Sequence, residues 1–80
     1  MSSFALQPGA RVVWCLRRRI VDVRCLLSGR VPVEVQIVHD RDVVVSEFFE
    51  EEWMAMNWAR AYAERLRAQG WHDVSERETA

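Results

Sequence analysis

Apolar and polar residues alternate most strictly from Val31 to Val38, where Val31, Val33, Val35 and Ile37 interleave with Pro32, Glu34, Gln36 and Val38. A period of two marks a strand with one buried face. Pro32 has no N–H to give, so it belongs at the strand end or at a gap in the ladder. Three more stretches read as strands because they are rich in β-branched and aromatic residues: Arg11 to Arg17 (RVVWCLR), Ile20 to Leu27 (IVDVRCLL) and Val43 to Phe49 (VVVSEFF). From Glu50 to Gln69 the period changes to 3.6. Met54, Ala55, Trp58, Ala59, Tyr62 and Leu66 gather on one side of that helix, and Asn57, Arg60, Glu64 and Arg67 on the other. Glu50, Glu51 and Glu52 favour the positive end of the helix dipole, and Arg65 and Arg67 the negative end. Gly70 suits a left-handed C′ position, with Trp71 folding back at C″ over Leu66 at C3.

The turns fix which residues share a face. With Arg18-Arg19 as a two-residue turn, Trp14 faces Val23, and Val12, Trp14 and Leu16 join Val21, Val23, Cys25 and Leu27 on one apolar face. Arg-Arg is poor chemistry for a tight hairpin, which leaves a longer loop or one continuous bent strand as alternatives. Ser28-Gly29-Arg30 forms the next loop. Asp40-Arg41 is central in the third turn, which puts Val44 and Phe48 on the core face with Ser46 between them. The pattern predicts an α+β fold in a single domain spanning 1–80: a four-stranded antiparallel meander (β-β-β-β-α) with one long C-terminal helix packed on one face. Residues 1–9 form a loose lead-in whose Phe4 and Leu6 can pack at the core edge. Residues 11–49 form the sheet, 50–70 the helix and 72–80 a frayed tail.

An antiparallel sheet can leave its second face in water. Here that face carries Val13, Cys15, Ile20, Leu26, Val38, Val43, Val45 and Phe49 among Arg17, Asp22, Arg24, Glu34, Gln36 and Glu47. It is apolar enough to serve as a partner surface, and a second copy is the simplest partner. Trp53 and Met56 fall off the core side of the helix, so they either pack against Phe49 and the lead-in or contact another subunit.

Composition and charge narrow the possibilities. Eighty residues, half of them hydrophobic, can fold but are near the lower limit for a single core. No apolar run reaches the ~18 residues of a membrane span and no secretory leader is evident, so the expected location is cytoplasmic. Cys15 and Cys25 fit neither a redox pair nor a disulfide framework and read as reduced sheet cysteines. Net charge is −1, but residues 1–41 hold seven Arg against three acids and residues 42–80 four Arg against nine acids. All basic residues are Arg, in keeping with a GC-rich genome.

With its strands, turns and helix laid out, the chain resembles a loose group of small uncharacterised bacterial proteins with a four-strand meander and a C-terminal helix ending in Gly-Trp. The matching pieces are Val23-Arg24-Cys25-Leu26-Leu27, Val33-Glu34-Val35-Gln36-Ile37, Asp40, Ser46 and Gly70-Trp71, within about residues 12–71. The chain departs at Asp40-Arg41, where such proteins often have Asp-Gly, and at Tyr62, often Trp. The resemblance implies the layout and no activity or functional residue. The element order is also similar to that of Whirly-type single-stranded-DNA-binding proteins, an analogy of fold alone.

Candidate chemistry is sparse. His39-Asp40, Asp42 and His72-Asp73 hold ligand types without a recognised metal spacing, and turn chemistry accounts for them. Ser28, Ser46 and Ser75 lack nucleophile-elbow glycines, and Cys25 has no activating neighbour in sequence. The expected function is therefore a small non-enzymatic interaction module, with no cofactor and no membrane partner. It self-associates as a homodimer, or binds an unidentified protein, through Val13, Val43, Val45, Phe49, Trp53 and Met56. The alternative is single-stranded nucleic-acid binding through Arg17, Arg18, Arg19 and Arg24, with Arg30 and Arg41 nearby and Trp14 and Phe49 as stacking planes.

Overall fold

The computed structural model describes residues 10–29 and 32–74. The lead-in with Phe4 and Leu6, the loop residue Arg30, the predicted strand start at Val31 and the tail from Ser75 lie outside the described residues. Four strands, β1 (Arg11–Arg18), β2 (Val21–Ser28), β3 (Val33–His39) and β4 (Asp42–Phe49), run as an antiparallel meander. Helix α1 (Glu52–Ala68) follows, then a two-residue strand, β5 (His72–Asp73). The sheet order is β4-β3-β2-β1-β5. The predicted α+β meander with a C-terminal helix is the fold observed, with a fifth strand added. Among the described residues, no helix is long and apolar enough to cross a membrane.

The core lies between sheet and helix. Val23, Cys25, Leu27, Val33, Val35 and Ile37 of the sheet meet Ala55 and Ala59 of α1. Ala55, Ala59 and Ala63 are its buried residues, spaced by four, so a stripe of methyl groups faces the strands. The small stripe lets the helix approach closely enough for the Trp14 indole N–H to donate to the Ala59 carbonyl at 2.9 Å. Larger side chains fill the flanks of the stripe. Phe49, Trp58, Tyr62 and Trp14 form a chain of rings with centroid spacings of 6.0, 5.4 and 6.2 Å. Such pairs add stability beyond the area they bury. Met56 packs inward and Met54 is exposed, the reverse of the wheel-based expectation. The docked stripe is centred on the alanines, which turns position 56 toward the sheet and 54 away.

Two bulges decide which way the strand residues point. In β1 the register shifts between Val12 and Trp14, so Val13 and Trp14 stand together opposite Cys25. Val13 thus packs on the core and Val12, 56% exposed, points out, reversing both expectations. In β4 the shift lies between Ile37 and Val38, and Val43 and Val44 stand opposite Val38. From there on the strand is inverted relative to the expected register. Val45 and Phe49 pack on the core, Glu47 pairs with Val35 on the helix side, and Val44, Ser46 and Phe48 face away. The sequence-based register assumed an unbroken ladder, and one extra residue flips every side chain beyond it.

The turns also differ in detail. The first is Arg19-Ile20 and not Arg18-Arg19, because Arg18 pairs with Val21 and Leu16 with Val23. The register moves by two residues, which preserves the shared face of Trp14, Leu16, Val23, Cys25 and Leu27. Arg19 takes φ +60° and Asp40, first in the Asp40-Arg41 turn, takes φ +61°. Positive φ at the first central position alone is the pattern of a type II′ turn, which glycine fills most readily.

At the end of α1, Trp71 N–H bonds to the Leu66 carbonyl and Gly70 N–H to the Arg67 carbonyl, and Gly70 has φ +98°. This is the expected Schellman closure. It aims the chain back along β1. His72 and Asp73, expected in the frayed tail, instead pair with Arg17 and Leu16, and Val74 N–H bonds to the Cys15 carbonyl. Arg67 holds Asp73 through two hydrogen bonds of 3.2 and 2.9 Å.

Candidate functional site

Among the described residues β4 has no neighbour on its far side, so one row of its backbone N–H and C=O groups is free to pair. It is a full-length strand of eight residues. Val44 and Phe48 stand out from it, 54% and 61% exposed, at an edge that natural sheets usually blunt with charge or proline. The bulge at Val43-Val44 and the carboxylates of Asp42 and Glu47 are the only such devices on this strand. On the outer face behind it, Leu26 and Val38 are buried, with Val38 between Arg24 and Val43. Glu34 accepts a 2.7 Å hydrogen bond from the Ser46 hydroxyl, which ties β4 to β3 on that face.

The six expected interface residues divide. Val13, Val45, Phe49 and Met56 belong to the helix side and pack against the core. Val43 stays on the outer face beside Val38 and is half-buried. Trp53 is exposed on the first turn of α1, its indole N–H bonded to Glu51 at 2.8 Å. Val44 and Phe48 were placed in the core by the sequence and are instead the exposed apolar pair. The run Val43-Val44-Val45 held the available clue, since three valines in a row break the period of two where a bulge fits.

The expected basic set divides as well. Arg17 is locked to Asp22 by hydrogen bonds of 2.6 and 3.2 Å, and that guanidinium holds the Asp22 carboxyl below the usual carboxylate range. Arg24 is half-buried beside Val38 and reaches the Asp40 carbonyl at 3.5 Å. Arg18 and Arg19 remain exposed at the hairpin tip. Trp14, proposed as a stacking plane, is part of the core, as is Phe49.

The two histidines do not converge. His39 shares the helix side with Leu16 and Val23, whereas His72 pairs with Arg17 on the opposite side. No cluster of three or more metal-binding side chains occurs among the described residues. Burial pushes the Cys25 thiol up to about 12, and Cys15, partly covered and near Asp22, is also raised. Raised thiols are poor nucleophiles at neutral pH. No protein-family model, no curated protein and no solved structure matches the chain.

Proposed function

We propose that the chain is a non-enzymatic interaction module that pairs with a second copy of itself through β4. The observation that carries this reading is the pair of exposed apolar residues, Val44 and Phe48, on a strand edge that has no partner among the described residues. A two-fold arrangement makes the same strand serve both copies. Antiparallel pairing must match faces, so its centre falls on a residue and not between two. Centred on Ser46, the register sets Val44 opposite the partner's Phe48, and Phe48 opposite the partner's Val44. Aromatic–β-branched pairs of this kind each contribute about 0.2–1 kcal/mol. Val45 then meets the partner's Glu47, so the two Glu47 carboxylates are kept apart. The acid–acid meeting of Asp42 with the partner's Glu50 falls at the strand ends. Centring on Glu47 would oppose two carboxylates directly and is disfavoured. The two five-stranded sheets would become one continuous sheet with both helices on the same side.

The test is solution mass by light scattering against a chain mass of 9.4 kDa. The native protein should run at twice that mass at low and moderate salt, because backbone pairing and apolar contact resist screening. Phe48→Lys and Val44→Lys should each give a monomer that melts as cooperatively as the native chain. Ile20→Lys, at the far tip of the β1–β2 hairpin, should leave the mass unchanged. A native monomer, or a dimer indifferent to Phe48→Lys, refutes the proposal.

A further inference from the structure

A cleft of about 430 Å³ opens beyond the end of α1, lined by Arg18, Arg19, Ile20, Val21, His39 and Trp71. That size lies within the range of small-ligand sites. We infer that this cleft binds a nucleotide unit, its ring against Trp71 and its phosphate on Arg18 and Arg19. Nothing in this binding depends on pairing through β4; of the cleft residues only His39 stands on the strand beside β4.

Arg11, Arg17 and Arg67 each hold a carboxylate. Arg65 lies over the Tyr62 ring and Arg60 bonds to Asn57. The Arg18 and Arg19 side chains make no hydrogen bond or ion pair among the described residues, and they are adjacent in one concavity. Of the acids beside these strands, Asp22 is engaged by Arg17 and Asp73 by Arg67, while Asp40 and Asp42 flank His39 on the far side of the cleft from the two guanidinium groups' own hairpin. The C-terminal end of α1 contributes roughly half a negative charge, and the Schellman bonds already occupy two of its carbonyls. Two full guanidinium charges outweigh it. A guanidinium fork suits phosphate oxygens better than a point charge does.

Trp71 is held in three ways: its backbone N–H bonds to the Leu66 carbonyl, its side chain packs on the core, and its ring and that of His39 meet edge to face at 6.0 Å and 72°. Such a fixed indole is a stacking platform for a base. Ile20 is 94% exposed at the cleft rim, the most exposed large apolar residue among those described, and no described residue covers it. A ring bound on Trp71 would cover it. The left-handed Arg19 backbone beside it is strain of the kind that collects at binding sites. A small concavity of six residues fits one nucleotide and not an extended peptide. The shared chemistry is a base with its phosphate, whether free or at the end of a single strand.

Titration of the full chain with adenosine monophosphate, adenosine, inorganic phosphate and a short single-stranded oligonucleotide tests this, read by tryptophan fluorescence and calorimetry. Adenosine monophosphate should bind with a dissociation constant of about 1 mM or tighter. Phosphate and adenosine alone should each bind more weakly. The double variant Arg18→Gln/Arg19→Gln changes only exposed side chains, and a melting curve checks its fold. It should lose about tenfold or more in affinity for each guanidinium removed. Ile20→Ser should weaken the monophosphate and leave phosphate unchanged. Tighter binding of the oligonucleotide than of the monophosphate assigns the site to a strand end, and the reverse assigns it to a free nucleotide. No binding of either ligand at about 10 mM overturns the proposal. So does an unchanged affinity in the double variant, or phosphate binding as tightly as the monophosphate.

Discussion

Ala59→Leu is the sharpest test of how the helix sits. Ala59 is fully buried in the middle of the alanine stripe, and its carbonyl takes the Trp14 indole N–H. Leucine adds three carbons at the point of closest approach. Overpacking a filled core costs about 1–3 kcal/mol. The upper end applies here, because Trp14 ties the helix backbone to β1 at this residue and limits how far the helix can lift. A domain of this length has a total stability of about 4–12 kcal/mol, so the loss is a large fraction of it. Each kcal/mol lowers the melting temperature by about 4–8 °C at this size, so the variant should melt about 10–20 °C below the native chain. Ala61→Leu is the matched control, since Ala61 is exposed on the same helix. Its propensity cost is only about 0.2 kcal/mol. Thermal melts followed by circular dichroism decide the matter. If the two variants melt within about 2 °C of each other, the close-packed stripe is not what seats the helix.

Two other expectations concern titratable groups. Cys25, with its thiol pushed up to about 12 and no exposure, should resist thiol reagents at pH 8 in the native state and react once the chain is unfolded; rapid native labelling at Cys25 would contradict its burial. The Asp22 carboxyl is depressed by its hydrogen bonds to Arg17, so the stability it contributes is complete above the ordinary carboxylate value near pH 4 and is lost as pH falls through the lower folded value. Both side chains are more than a third exposed, which keeps that contribution below about 1 kcal/mol. Asp22→Asn should therefore be slightly less stable at neutral pH and should converge on the native protein in acid; parallel curves down to about pH 2 would remove the pair from the account.

The layout of the sheet was legible because its strongest signal is local. Val33, Val35 and Ile37 alternate with polar residues, and each of the three is buried as the period demands. Gly70-Trp71 announced the end of the helix, because few other pairs close a Schellman turn so readily. The faces of β1 and β4 were less legible. A bulge adds one residue, costs little composition and inverts the pattern, so Val12 and Val13, and Val44 and Val45, exchanged sides. The short strand β5 left no periodic signal at all, since its two residues are a histidine and an aspartate held by register and by Arg67. The cleft was hidden for a related reason. His39, Trp71 and the Arg18–Ile20 tip are distant in sequence, and only the return of the chain after α1 brings Trp71 to His39.

That return has a consequence for how the molecule assembles and opens. Each hairpin of the meander closes over a short stretch of chain, whereas β5 joins β1 across almost the whole described length. The longest closure is thus secured by the shortest strand. Most of that loop entropy is repaid when α1 docks through Trp14 and Ala59, and β5 then adds two paired residues, one further backbone bond and an exposed ion pair. The order of events follows: the meander forms, α1 docks, and β5 latches last. In the native state the latch is also the first part to lift. When it does, β1 loses its cover and Trp71 loses its tether to the strand, while the alanine-seated helix and the four-stranded sheet stay in place.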